Sequence, residues 1–331
     1  MFLSAFSPPP VHAAIESEPS AAVDGYTLGP VIGTGGFSTV HRATSPSGDV
    51  VAVKIIRHQD IPNEIARQRL ANEAAVWATL SHEHILPLFR ATHTPFSDYL
   101  FMPLCPAGTL LDILQRDGRP GLPHDDAGTM FRQVVRGVRY LHEQAALVHG
   151  DLKLENVLVD TAGACRIADF GLARPVSHAQ APVRRQRSLL LAGSPASRVR
   201  AHHHGPAARR VSSPLPGDAR APQAVYALPP GSLPYAAPEL LHVPVPDAPY
   251  VPDPAQDIWA LGVILHALLT GRLPFWDTFE PRLTMKILKG FDTMPPHLGR
   301  GAELVLRGCL TFEPPRRWTI AAVDDVAWAV G

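Results

Sequence analysis

The run from Ile258 to Leu269 is apolar on every side of a helix and stops at Gly271. A helix of that kind is buried all round, and a glycine just past its end supplies the left-handed cap. The run is too short to cross a bilayer, so it predicts a core helix and no membrane span. With 331 residues, 46% of them hydrophobic, the chain can bury one large core or two smaller lobes. A second helical stripe, Met130, Val134, Val138 and Leu141, falls in the same half of the chain.

The first third reads differently. From Tyr26 to Met102, β-branched runs dominate: Val31-Ile32, then Val50 to Ile56, then Leu100-Phe101-Met102. One helix interrupts them, with Asn63 as its N-cap and Ile65, Leu70, Val76-Trp77 and Leu80 at helical spacing. The expectation is an α+β chain in two lobes. A small β-rich N-lobe covers 25–102, a short hinge covers 103–107, and a larger, mainly helical C-lobe covers 108–331. Residues 1–24 are Pro, Ala and Ser and read as a disordered tail. The stretch of about 175–230 is rich in Arg, Ala, Pro, Ser and His with one acidic residue, Asp218, and reads as a disordered insertion. A regulatory segment, a tolerated insertion and a retained intron all fit its composition. Within it, His202-His203-His204 reads as a solvated tract, and Ser188 and Ser212 follow basic residues as phosphorylation sites do.

Bulk charge narrows the partners. A formal net charge of +0 gives no reason to expect nucleic acid or an anionic membrane. Three cysteines, Cys105, Cys165 and Cys309, lie far apart without paired spacing, which argues against a disulfide framework and for a reducing, intracellular compartment, cytoplasmic or nuclear. The apolar opening lacks a basic region and runs into Pro8-Pro9-Pro10, unlike a signal peptide.

Chemistry enters with Ile32-Gly33-Thr34-Gly35-Gly36-Phe37-Ser38-Thr39-Val40. Glycines let a strand–turn–strand pass close over phosphates with backbone N–H groups facing the oxygens. By itself such a hairpin is simply a tight turn. A dinucleotide site needs a helix to begin at the glycines, and here a second β run follows. Val51-Ala52-Val53-Lys54 then places a lysine on a strand, and Glu73 follows 19 residues later on the helix already described, where it can hold the ammonium. Glu64, near that helix start, complements the dipole.

The decisive run is Val148-His149-Gly150-Asp151-Leu152-Lys153-Leu154-Glu155-Asn156-Val157-Leu158, followed by Asp169-Phe170-Gly171 and Ala237-Pro238-Glu239. In order and spacing these motifs resemble the eukaryotic protein kinase family, serine/threonine type, from roughly Tyr26 to Trp328. The resemblance implies a bilobal kinase fold and transfer of the ATP γ-phosphate to protein Ser or Thr hydroxyls. It implies Asp151 as the group that orients the substrate hydroxyl and Lys153 as the cation at the transferring phosphoryl. Asn156 and Asp169 would hold Mg2+, with Mn2+ as the alternative ion. ATP would meet Ile32, Gly33, Thr34, Gly35, Gly36, Phe37, Ser38, Val40, Ala52, Lys54, Glu73, Met102, Pro103, Cys105 and Leu158. Met102 takes the gatekeeper position, and adenine would read the Pro103 carbonyl and the Cys105 N–H. Proline keeps its carbonyl and lacks only the N–H, so Pro103 and Pro106 are harmless where a proline at 105 is not.

Further matches follow the same resemblance. Asp257-Ile258-Trp259 resembles the start of the family's central helix, whose aspartate organises the catalytic loop. Arg317 is expected to pair with Glu239, and Trp318 and Trp328 to be core residues. Gly231 to Tyr235 is similar to the loop that receives the residue after the target, nearest to the calmodulin-dependent and checkpoint-like branch. Two departures stand out. Gly150 replaces the arginine that commonly precedes the catalytic aspartate, a non-RD loop, and the segment between Asp169 and Glu239 is long. Glu155 is placed to meet an arginine upstream of the target, while Thr109 and Ala267 are uncharged where basic-directed relatives carry acids. A pseudokinase scaffold would lack one of Lys54, Asp151, Asn156 or Asp169, and all are present. A small-molecule kinase would not need the protein-substrate loop. Oligomeric state is not legible.

Overall fold

A computed structural model describes residues 22–36, 38–118, 120–176, 231–241 and 252–327. Of the insertion expected over about 175–230, residues 177–230, with Ser188, Ser212 and the histidine run, lie outside them, as do Phe37 and Trp328; Pro175, expected inside it, instead ends a short strand.

The N-lobe is one antiparallel sheet of β1 (Ala22–Val23), β2 (Tyr26–Thr34), β3 (Ser38–Thr44), β4 (Val50–Arg57), β5 (Arg90–His93) and β6 (Ser97–Pro103), with α1 (Glu64–Trp77) inserted after β4. Strand order is β1-β2-β3-β4-β6-β5. The tail expected to reach residue 24 is therefore ordered from Ala22 within the described residues, where a two-residue strand and an Asp24-Gly25 turn precede β2. Asp24 Oδ2 accepts from Arg90 Nε at 2.7 Å and from Thr92 Oγ1 at 2.6 Å. Those partners sit on β5, at the far edge of the sheet, so the sheet must curl on itself.

Helix α1 begins where its cap predicts. Asn63 accepts from the Ala66 N–H through its side chain. Its apolar spacing runs past its end, however: α1 stops at Trp77, and Leu80 is buried from the turn that follows.

The C-lobe holds α2 (Leu110–Asp117), α3 (His124–Glu143), α4 (Pro254–Thr270), α5 (Glu280–Lys289), α6 (Arg300–Cys309) and α7 (Ile320–Ala327). Helix α4 is the apolar run of the sequence, buried from Gln256 to Leu269, and α3 packs on it and on α7. Gly271 ends α4 at φ 70°, and a Cβ there would lie 2.1 Å from the Pro120 carbonyl oxygen, so no other residue fits. Two short ladders, β7 (Leu147–Val148) with β10 (Arg174–Pro175) and β8 (Val157–Val159) with β9 (Cys165–Ile167), bracket the segment from His149 to Asn156. That is how a loop rich in polar residues is held rigid over a dry lobe.

Arg317 is buried, and its guanidinium forks onto Glu239 at 2.7 and 3.0 Å, as expected. It also donates to the carbonyls of Ala255, Thr311 and Phe312 and lies over the Trp259 ring, so a cation inside the lobe is fully satisfied. Trp318 is half-buried against the core, where it packs over Gly308.

Candidate active site

Strand register brings the first set of expected residues together. Gly33 pairs with Val40, Val40 with Lys54, and Ala52 with Met102, so the glycine hairpin, the lysine and the hinge strand are adjacent. Ile32 is 48% exposed, which leaves its side chain free to meet a ligand rather than a core. Ser38 and Val40 lie on β3, Gly35 and Gly36 in the turn before it, and Thr34 ends β2. Val40, Cys105 and Leu158 pack against the same apolar cluster as Ala52 and Met102. Pro103 ends β6, and the Cys105 N–H makes no backbone hydrogen bond among the described residues.

Lys54 Nζ donates to Glu73 Oε1 at 2.6 Å, with the Glu73 side chain only 3% exposed. Burial by itself would lower the lysine pKa, but Glu73 and then Asp169 outweigh it and hold the ammonium above its ordinary value. The Asp169 carboxyl feels the same opposition. Its surroundings push it up, whereas Lys54, His149 and Lys153 pull it below the ordinary range, so it is ionised. Asp169 keeps φ at 66°, a left-handed conformation that aspartate tolerates better than most residues.

The loop between β7 and β8 is organised from below by Asp257, at the start of α4. Its carboxylate is 1% exposed and accepts the backbone N–H groups of His149 at 2.8 Å and Gly150 at 2.9 Å, with His142 Nε2 at 2.8 Å. Burial works against ionisation there, and the His142 contact with these N–H groups reverses it, leaving the pKa lowered. A buried charge held by several donors is a rigid post for the loop.

On that loop Asp151 Oδ2 takes a hydrogen bond from Lys153 Nζ at 2.9 Å, and Asn156 Nδ2 donates to the Asp151 carbonyl at 2.8 Å. The Asn156 amide nitrogen is thereby engaged and its oxygen is the atom left to offer a cation. Ser232 completes the cluster: its Oγ donates to Asp151 Oδ1 at 2.5 Å and accepts from Lys153 Nζ at 3.0 Å. The sequence reading missed Ser232. It lay inside the quoted Gly231–Tyr235 run, but 81 residues separate it from Asp151, and nothing in local pattern joins them. At Glu155 burial raises the pKa, and its Oε2 is buried without a hydrogen bond among the described residues.

The expected site residues other than Phe37, which is not described, lie on the glycine hairpin, β4, α1, the end of β6 and the hinge after it, the loop before β8, β8, and the turn after β9. Asp169 and Asn156 offer hard oxygen donors of the kind a divalent cation would take. Among the described residues no group of three or more His, Cys, Asp or Glu is placed to hold a metal, and no helix is long and apolar enough to cross a membrane.

Comparison with known proteins gives an independent line. The family model described as protein kinase domain matches residues 26–190 and 218–329. The chain is 31% identical over 310 residues to the Serine/threonine protein kinase OSK3 of Oryza sativa subsp. indica, covering 93% of this chain and 51% of that protein. It is 31% identical to the SNF1-related protein kinase catalytic subunit alpha KIN12 of Arabidopsis thaliana, with 92% and 51% covered. It is 30% identical to the Maternal embryonic leucine zipper kinase of Xenopus tropicalis, with 92% and 39% covered. The chain spans about half the length of the first of these relatives, or less in the last case.

Proposed function

The chain belongs to the protein kinase family, and from that premise we propose that it transfers the γ-phosphate of Mg-ATP to Ser or Thr hydroxyls of proteins. The observation that carries the reading is the cluster of Asp151, Lys153 and Ser232. It joins one carboxylate, one ammonium and one hydroxyl within hydrogen-bond reach of each other, beside the ionised Asp169.

Asp151 accepts the proton side of the incoming hydroxyl and orients its oxygen toward phosphorus; Lys153 lies beside it to meet negative charge as the phosphoryl group moves. Ser232 hydrogen-bonds to both. Lys54, fixed by Glu73, positions the phosphates, and Asp169 with the Asn156 amide oxygen would hold the metal, which supplies charge neutralisation at the phosphates. The adenine edge takes the Pro103 carbonyl and the Cys105 N–H. Cys105→Pro should raise the ATP KM about 10-fold while Cys105→Ala, which keeps the N–H, leaves it within about 2-fold. Equal KM values for the two variants in a steady-state ATP titration would remove the hinge contact from this account.

Substrate choice is assigned to Glu155: its carboxylate takes a hydrogen bond from Tyr235, but its Oε2 has no partner among the described residues and suits a guanidinium. We expect preference for one arginine before the target, since Thr109 and Ala267 add no charge. The branch nearest to calmodulin-dependent and checkpoint-like kinases rests on the Gly231–Tyr235 loop. The family match skips 191–217, which supports an insertion there. Gly150 supports activity without a phosphate on the segment after Asp169, and three free cysteines support a reducing, intracellular setting. The experiment is a peptide array with phosphatase-treated protein. Transfer to Ser/Thr peptides with an upstream arginine is expected; a profile led by acidic or proline-flanked sites rejects the selectivity, and no transfer at all rejects the activity.

A further inference from the structure

The segment after Asp169-Phe170-Gly171 is held in place by contacts that involve no phosphate. The Ala173 N–H donates to the Phe170 carbonyl at 3.0 Å, and the Val176 N–H to Ala146 at 2.8 Å. Between them, Arg174 and Pro175 pair with Val148 and Leu147, directly before the catalytic loop. Gly150 sits at φ 78°, and a Cβ there would come within 3.1 Å of the Leu172 carbonyl oxygen. The residue that lacks an arginine side chain is therefore also the one that lets this segment close down on the loop.

Helix α1 reaches the same segment from the other side. Asn72 Nδ2 donates to the Ala173 carbonyl at 3.2 Å across 101 residues of chain, and Arg174 Nη1 donates to that carbonyl at 2.7 Å. One turn further along α1, the Trp77 ring lies 6.3 Å from the Phe170 ring. These two contacts bracket Glu73, the partner of Lys54. Trp77 contributes packing, which tolerates sliding; the Asn72 amide contributes direction and register, which packing does not.

We propose that Asn72 is a positioning residue: its amide, donated to the Ala173 carbonyl, latches α1 to the segment carrying Asp169. The latch keeps the Lys54–Glu73 pair closed in protein that bears no phosphate on that segment. The proposal rests on the kinase reading above, because only there does the closed pair matter for turnover. Asn72 touches neither nucleotide nor substrate in this account; it acts through Glu73 and Asp169.

The test uses the full chain, phosphatase-treated, with Asn72→Leu, which keeps the side-chain outline without a donor, and Asn72→Gln, which keeps the donor. Hydrogen exchange over 64–77 and 169–176 is read beside peptide-phosphorylation kinetics and thermal stability. Expected for Asn72→Leu is a kcat/KM about 5- to 10-fold lower, a raised ATP KM, and faster exchange in both segments together. Asn72→Gln should lie nearer wild type, and if the leucine variant does not fold, Asn72→Ala carries the same expectation. Wild-type kinetics and exchange in the donor-less variant overturn the proposal. So does faster exchange confined to 169–176, which would make the contact a local anchor with no hold on α1, and so does a glutamine variant no better than leucine. Joint loss of protection in a chain that phosphorylates no peptide leaves the latch standing and removes the kinase reading instead.

Discussion

Asp151→Asn should lower peptide phosphorylation by about 1,000-fold or more while nucleotide binding stays within about 2-fold. The substitution keeps the outline of the side chain and removes its charge and one acceptor. Lys153 Nζ and Ser232 Oγ both use that carboxylate, so the amide leaves an ammonium beside a group that can present an N–H to it. A loss of that size is about 4 kcal/mol of transition-state stabilisation, within reach of one general base and its network. Lys54, Asp169 and the hinge are untouched, which is why binding should survive. Single-turnover transfer measured with the nucleotide already bound separates the two effects. A variant that transfers phosphate at the wild-type rate would show that Asp151 is not the group facing the hydroxyl.

Lys54→Met should abolish detectable transfer and weaken the fold as well. Methionine fills the length of the lysine stem but cannot reach phosphate oxygens or answer Glu73, whose carboxylate is nearly inaccessible to water. Removing one partner of a buried pair costs about 3–5 kcal/mol when the other charge remains. Glu73 relieves that cost by taking up a proton, since burial already pushes its pKa up and the pull of Lys54 is gone. A carboxyl raised in the folded state contributes least at high pH. The variant's deficit should therefore be small below the ordinary glutamate range and grow as pH rises through the elevated value. Adding Glu73→Gln should restore much of the thermal stability, flatten the pH dependence and return no activity. Recovery of transfer in the double variant would show that the pair is only structural. The pH series, read by thermal melts, tests the cause separately from the catalysis.

Much of this site was legible because its residues are clustered along the chain. Asp151, Lys153 and Asn156 lie in one short run, and Asp169 follows after a single hairpin, β8 to β9. Lys54 and Glu73 were carried by a β-branched run and by a helix whose period was readable. Ser232 was not legible as a partner of Asp151, nor Asn72 as a partner of Ala173, because side chains brought together over 81 and 101 residues leave no periodic trace. The same holds for Asp24 and β5: strand period shows which residues alternate, not that a sheet curls until its two edges meet.

The family resemblance of the motifs pointed to the glycine hairpin and to the charged residues of the catalytic loop, whereas the sequence by itself determined what is local: the core helix from its apolarity and the caps at Asn63 and Gly271. Backbone propensity and side-chain period act over a few residues, and those features need nothing more. Tertiary structure alone decided which groups share a charge. The buried Asp257 is ionised because three donors from His142, His149 and Gly150 converge on it. Lys54 stays protonated despite burial because two carboxylates from separate elements face it. Such balances between desolvation and attraction depend on distances of a few ångströms between remote segments, and only the packed lobes set those distances.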